Sequence, residues 1–108
     1  MATALDTIPA SRDVTTDSVD LWAIDFTNAL QAGESIVSGA ATLVTAMPAD
    51  DGTVVAGFVV DATVSGATVE VEWSGSVLAK HSTYRLETRA TLNTGAVVEL
   101  LTRIVCVA

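Results

Sequence analysis

Few side chains in this sequence are suited to acid–base or nucleophilic chemistry. His81 is the only histidine among 108 residues, so one chain holds no pair of imidazoles for a metal ion. A serine or cysteine nucleophile would have only this one base to activate it. His81 lies in the polar segment 80–83, which is typical of a loop. We therefore interpret it as an exposed loop residue and expect no catalytic residues.

Two groups of carboxylates are candidates for a cation site or an acid–base pair. Asp50, Asp51 and Asp61 offer the hard oxygen ligands that calcium prefers, but they lack the regular spacing of a calcium-binding loop. Asp-Asp-Gly also favours turns for purely conformational reasons. Glu70 and Glu72 are two residues apart, which places them on one face of a strand, and such a face is normally solvated. We expect no metal and no cofactor.

The single cysteine gives no sign of reactivity. Cys106 lies between Val105 and Val107 and has no partner for an internal disulfide, which indicates a small buried hydrophobe or an edge thiol. The sequence contains no glycine-rich phosphate loop and no Gly-x-Ser-x-Gly motif. An enzyme is the least favoured class of function.

The length and the net charge of the chain limit the other classes of function. A chain of 108 residues with 50% hydrophobic content fits one domain with a single core. Its net charge of -8 is repelled by nucleic acids and by anionic lipid surfaces. No stretch approaches the ~20 apolar residues that cross a bilayer, and the N-terminus does not resemble a secretory signal. We expect synthesis in a cytoplasm and neither nucleic-acid nor membrane partners.

The charges are distributed unevenly along the chain. Residues 1–78 contain eleven acids and one basic residue, Arg12, whereas residues 79–108 contain four basic residues and two acids. One end of the molecule is therefore suited to dock on the other end of a neighbour. The alternative is that these charges are solvated outward faces of strands that serve solubility.

The hydrophobic pattern predicts strands throughout. Residues 84–92 alternate between apolar and charged positions, 93–95 form a turn, and 97–107 supply a second apolar run, which together predict an antiparallel hairpin. Residues 68–74 alternate in the same way, with Val69, Val71 and Trp73 inward. Further strands are expected in a run of small and β-branched residues, 35–46, and in a run that is apolar on both faces, 53–62. In the second run Gly57 indicates either a bulge or a close backbone contact.

Counting these runs gives six or seven short strands with a turn signal about every 8–12 residues, which favours an all-β antiparallel sandwich. We expect an extended N-terminal arm at 1–20 and the sandwich at 21–108. Segment 17–26 is either a first strand or a short apolar latch, and Trp22 within it either joins the core or inserts into a partner. We interpret Trp73 as a core anchor and Tyr84 as a corner residue whose hydroxyl binds nearby backbone.

The order of these pieces resembles a family of small bacteriophage virion proteins with an immunoglobulin-like β-sandwich, described as fibre-to-tail adaptors or capsid accessory proteins. The resemblance covers about four fifths of the chain. It begins at Asp20-Leu-Trp-Ala-Ile-Asp-Phe, continues through Leu30-Gln-Ala-Gly-Glu-Ser-Ile-Val-Ser-Gly-Ala and Val69-Glu-Val-Glu-Trp-Ser-Gly, and ends at Tyr84-Arg-Leu-Glu-Thr-Arg-Ala-Thr-Leu and the Asn93-Thr-Gly turn.

The resemblance implies a non-enzymatic structural protein of the virion, at the head–tail junction or the fibre attachment site. The alternatives are a decoration protein on the head exterior and a carbohydrate-binding or adhesive sandwich. The implied partners are portal, neck, tail, fibre or major capsid proteins, with copies repeated by homo-oligomerisation or particle symmetry. The residues that we expect to contact a partner are Trp22, Phe26, Arg85, Arg89 and Arg103.

Overall fold

The computed structural model describes residues 11–47 and 53–107, which fold into two packed β-sheets. The strands are β1 Ser11–Val14, β2 Val19–Asp25, β3 Ile36–Met47, β4 Val59–Ser65, β5 Thr68–Ser74, β6 Thr83–Leu92 and β7 Val97–Cys106. One sheet has the order β1-β7-β6-β3 and the other β2-β5-β4. In these two ranges helical structure is confined to the 3₁₀ turns Thr27–Ala29 and Gly75–Val77, and no helix has the length and apolarity to cross a membrane. The predicted all-β sandwich of about seven strands is confirmed.

Strict alternation of side chains explains which faces the sheets bury. Every second residue of β6 is buried, and Leu86 and Ala90 are fully inaccessible. In β5, Val69, Val71 and Trp73 point inward as their spacing predicts. A shift of one residue in either strand would turn these apolar side chains to solvent, so the pattern fixes the register.

The core between the sheets has two adjoining parts. Each is built from both sheets, and the fully buried side chains contribute roughly 1.5–3 kcal/mol apiece. The first part contains Val14, Leu43, Phe58, Trp73, Leu78, Tyr84, Leu86, Ile104 and Cys106. The second contains Ile24, Phe26, Ile36, Val69, Val71, Ala90, Leu92 and Leu100.

The β6–β7 hairpin closes at the predicted turn. Leu92 accepts a hydrogen bond from the N–H of Gly95 at 2.9 Å, and its own N–H donates to Ala96 at 2.8 Å. Gly95 has a φ of 91°, a conformation that other residues rarely adopt. The Asn93 side chain also accepts from the N–H of Ser35 at 3.1 Å, which ties this hairpin to the loop before β3.

The N-terminal strand departs from the predicted antiparallel arrangement and from the predicted arm. β1 pairs with β7 in parallel, with Val14 opposite Cys106. The pairing satisfies backbone groups on the edge of β7, since Val107 donates to the carbonyl of Val14 at 2.9 Å, and it buries the Val14 side chain. The described part of the predicted arm is therefore a component of the sandwich from Ser11 onward, whereas residues 1–10 lie outside the described residues.

Two other predictions concern segments 17–26 and 53–62. Within segment 17–26 the residues Val19–Asp25 form β2, so the prediction of a strand is confirmed over the alternative of an apolar latch, although β1 precedes it in the chain. Segment 53–62 divides into an isolated bridge between Val54 and Val44 and the start of β4, with Gly57 in the intervening turn at a φ of 90°. The bulge lies between Val59 and Asp61 instead of at Gly57.

Candidate interaction surfaces

Phe26 belongs to the core and not to a surface. Its side chain is 0% exposed, and its N–H donates to the carbonyl of Ala67 at 2.9 Å. The residue directly follows β2, and this hydrogen bond joins it to the turn between β4 and β5. The predicted partner contact at Phe26 requires an accessible side chain, and in the single folded chain this side chain offers no surface to a partner.

Trp22 occupies an intermediate position. It lies opposite Val71 on the inward side of β2, and its ring centroid is 4.5 Å from that of Trp73 at a 45° tilt. Because β2 is an edge strand, the Trp22 side chain is only half-buried. It packs against both parts of the core, and its accessible side borders an open cleft of about 430 Å³. The cleft is lined by Asp13, Val14, Asp17, Ser18, Val19, Asp20, Trp22 and Trp73.

The three arginines predicted to contact a partner share the outward face of the four-stranded sheet. Arg85 Nε lies 3.0 Å from Glu87 Oε2, and Arg89 Nη2 lies 3.1 Å from Glu87 Oε1. Arg89 Nε also lies 2.9 Å from Oε2 of Glu99, its cross-strand neighbour. The surface that we call the arginine face consists of Arg85, Glu87, Arg89, Val97, Glu99, Leu101 and Arg103.

Arg103 differs from the other two arginines. It is exposed and lies directly opposite Arg85, so two like charges face each other across β6 and β7. No salt bridge to Arg103 occurs among the described residues, although Asp13 lies on the adjoining strand β1 opposite Val105. Leu101, two residues earlier on β7, is 54% exposed. The centre of this face therefore combines an unmatched guanidinium with an accessible aliphatic side chain.

The charged side chains on the outward face of the three-stranded sheet are all acidic. Glu72 on β5 lies between Asp61 on β4 and Leu21 on β2, and the Leu21 side chain is 55% exposed. No lysine or arginine occurs between residues 12 and 80, so nothing on these strands neutralises the carboxylates. The surface that we call the acidic face consists of Val19, Leu21, Asp25, Asp61, Glu70 and Glu72.

The sequence revealed only part of the acidic face. The period of two in β5 predicted that Glu70 and Glu72 share a side, and the pairing of β5 with β4 agrees with this. The position of Asp61 opposite Glu72 depends on a bulge one residue earlier, which no local signal announces. The exposure of Leu21 follows from the edge position of β2, which is a property of the assembled sheet.

The residues that the sequence offered for catalysis or metal binding form no common site among the described residues. His81 is exposed with a φ of 64°, and its N–H donates to the carbonyl of Cys106 at 2.7 Å, which closes the loop before β6. Across 11–47 and 53–107, no three His, Cys, Asp or Glu side chains come together in a way that would hold a metal ion. Asp61 belongs to the acidic face, and Asp50 and Asp51 lie outside the described residues.

Three further residues lie in the first part of the core: Cys106, Tyr84 and Trp73. The Cys106 side chain is 0% exposed, which confirms the interpretation as a buried hydrophobe. The Tyr84 hydroxyl accepts a hydrogen bond from the N–H of Ala79 at 2.8 Å, which is the predicted corner contact. Trp73 stacks on Phe58 with ring centroids 5.2 Å apart.

No model of a protein family matches the chain, and no curated protein matches it.

Proposed function

We propose that this chain is a non-enzymatic structural protein of a bacteriophage virion, an adaptor at the head–tail junction or the fibre attachment site. The observation that supports this role most directly is the pair of outward faces. Each is carried by a sheet of the sandwich and combines charges with an exposed aliphatic residue, Leu21 on one side and Leu101 on the other. A small rigid body with two such faces is suited to join neighbours on either side.

An immunoglobulin-like arrangement is part of the same proposal. The sheet β2-β5-β4 packs against a sheet that contains β3, β6 and β7, which is how the last six strands divide in seven-stranded immunoglobulin-like domains, whereas β1 pairs with β7 instead of β2. The Tyr84 contact with Ala79 at the start of β6 is a second feature of such domains. Both agree with the resemblance to virion proteins that the sequence displays.

Decoration of the head exterior is the alternative within the virion. The net charge of -8 suits a protein outside a DNA-filled shell in either location. A carbohydrate-binding role is less well supported, because such sites need exposed aromatic platforms. Four of the five aromatic side chains are buried, and only Trp22 is half-buried.

Quantitative mass spectrometry of purified virions of a phage that encodes this chain tests the proposal. We expect the chain in intact particles at about a dozen copies or fewer, as the low-order symmetry of a junction requires. Hundreds of copies would favour head decoration. A chain that is made during infection but absent from washed particles would contradict both virion roles.

A further inference from the structure

We propose that copies of this chain associate head to tail, with the acidic face of one copy against the arginine face of the next. The occupant of each face is thus a second copy of the chain. The inference goes beyond the virion role and is independent of it, because the purified chain alone either associates in this way or does not.

The first observation that supports head-to-tail association is the charge of the two faces. Each face places like charges directly opposite each other on neighbouring strands: Glu72 and Asp61 on the acidic face, Arg85 and Arg103 on the arginine face. Such pairs repel each other in the isolated sandwich. When the two faces meet, the carboxylates of one copy neutralise the guanidinium of Arg103 and both repulsions are relieved.

The second observation is that each face has an exposed aliphatic side chain. Leu21 lies beside Glu72 in the register of β2 and β5, and Leu101 lies beside Glu87 in that of β6 and β7. Both side chains are more than half exposed in the single chain. Facing contact buries both leucines and surrounds them with charged side chains, and an apolar centre with a polar rim is the usual composition of a protein interface.

The sandwich fixes the geometry of the contact. The two faces are the outward sides of two packed sheets and therefore point in opposite directions. A copy cannot satisfy both faces with one neighbour in a symmetric pair. The contact is heterologous, and repetition gives a closed ring or an extending row.

Sedimentation velocity over a concentration series tests association of the full chain. We expect the sedimentation coefficient of the wild type to rise with concentration at about 20 mM salt and to fall back at about 0.5 M, where charges are screened. Arg103→Ala and the double variant Asp61→Asn/Glu72→Gln should each weaken association at least about fivefold. The matched controls are Lys80→Ala, in the loop before β6, and Asp17→Asn/Asp20→Asn, beside the cleft at Trp22. They make the same changes in net charge away from the two faces and should leave association unchanged.

A mixing experiment tests the head-to-tail arrangement. Arg103→Ala keeps its acidic face and Asp61→Asn/Glu72→Gln keeps its arginine face, so an equimolar mixture should form a one-to-one dimer that grows no further. A wild type that stays monomeric at low salt overturns the proposal, and so do controls that weaken association as much as the face variants. A mixture that forms no dimer also overturns it, as does binding only to a different protein.

Discussion

Arg85 and Arg103 lie directly opposite each other on β6 and β7, whereas Arg89 on the same face lies opposite Glu99 and forms a salt bridge with it. Two cross-strand pairs on one face, separated by the pair of Glu87 and Leu101, thus differ: the charges are matched in one and mismatched in the other. A like-charge pair of this kind lowers the stability of the single chain by roughly 0.2–1 kcal/mol. Its presence is explained if Arg103 serves an interaction outside the chain.

The first prediction is that Arg103→Glu stabilises the single chain. The new carboxylate lies opposite Arg85, so repulsion is replaced by attraction, and the free energy of unfolding should rise by about 1 kcal/mol at low salt. Thermal unfolding of a dilute sample, monitored by circular dichroism, measures the change. Lys80→Glu makes the same change in charge in the loop before β6 and should give no such gain. A loss of stability in Arg103→Glu at low salt would contradict the interpretation.

The sequence predicted the elements whose own residues determine their structure. β5 and β6 follow from strict alternation, the β6–β7 turn follows from Asn93-Thr-Gly, and the burial of Cys106 follows from its valine neighbours. In each case the signal lies within about ten residues, the range over which period and turn chemistry act.

The features that the sequence did not predict depend on contacts between distant segments. β1 has four residues, of which Val14 is the one apolar residue in the sequence, so its parallel pairing with β7 is decided by the free edge that β7 offers. Arg103 lies opposite Arg85 because of the register of the β6–β7 hairpin. Asp61 lies opposite Glu72 because of the bulge in β4. Both interaction faces are therefore properties of the assembled sheets.

The second prediction concerns Gly75, which lies buried beneath the β1–β2 connection. Its N–H donates to the carbonyl of Ser18 at 2.8 Å, and a Cβ atom added there would collide with the backbone carbonyl of Thr15. Gly75→Ala should lower the free energy of unfolding by roughly 1–3 kcal/mol in urea titration, because the connection must move away.

Gly39→Ala is the comparison for Gly75→Ala. The Cβ atom added at residue 39 would lie 2.7 Å from a methyl group of Val69. A side chain of this kind can shift more readily than the backbone. We expect a smaller loss than for Gly75→Ala. The reverse order would show that the β1–β2 connection is not held where the structure places it.

The third prediction tests the Tyr84 corner. Tyr84→Phe removes the acceptor of the Ala79 N–H and should cost about 1 kcal/mol of stability. Hydrogen exchange should accelerate at Ala79, whereas the N–H of Leu78, which donates to Gly75 at 3.0 Å, should keep its rate. Equal acceleration at both amides would indicate general loosening of the loop instead of loss of one hydrogen bond.

The fourth prediction is that the thiol of Cys106 is protected by the core. Its side chain is 0% exposed, so a disulfide reagent should modify it only as fast as the sandwich opens. The variant Cys106→Ala/Val107→Cys moves the thiol to a position that is 44% exposed and should react immediately. Rapid reaction of the wild type under native conditions would show that the end of β7 opens independently of the core.

The fifth prediction concerns pH and the end of β2. The hydroxyl of Thr27 donates to Asp25 Oδ1 at 2.6 Å and its N–H donates to the same oxygen at 2.8 Å, and these hydrogen bonds, the hydroxyl first, lower the pKa of Asp25. A carboxyl whose pKa is lower in the folded than in the unfolded chain adds stability above about pH 4, and this contribution is lost as the pH falls through the folded pKa.

Thr27→Val removes the hydroxyl but keeps the N–H, so the pKa of Asp25 should rise part of the way towards its ordinary value, whereas Thr27→Ser should leave it low. NMR titration of the Asp25 carboxyl carbon in the three proteins measures this directly. Asp25 is exposed and water competes for its oxygens, so we expect a clear change in pKa with only a small change in acid stability. A pKa in Thr27→Val equal to that of the wild type would mean that the backbone N–H alone holds the carboxylate.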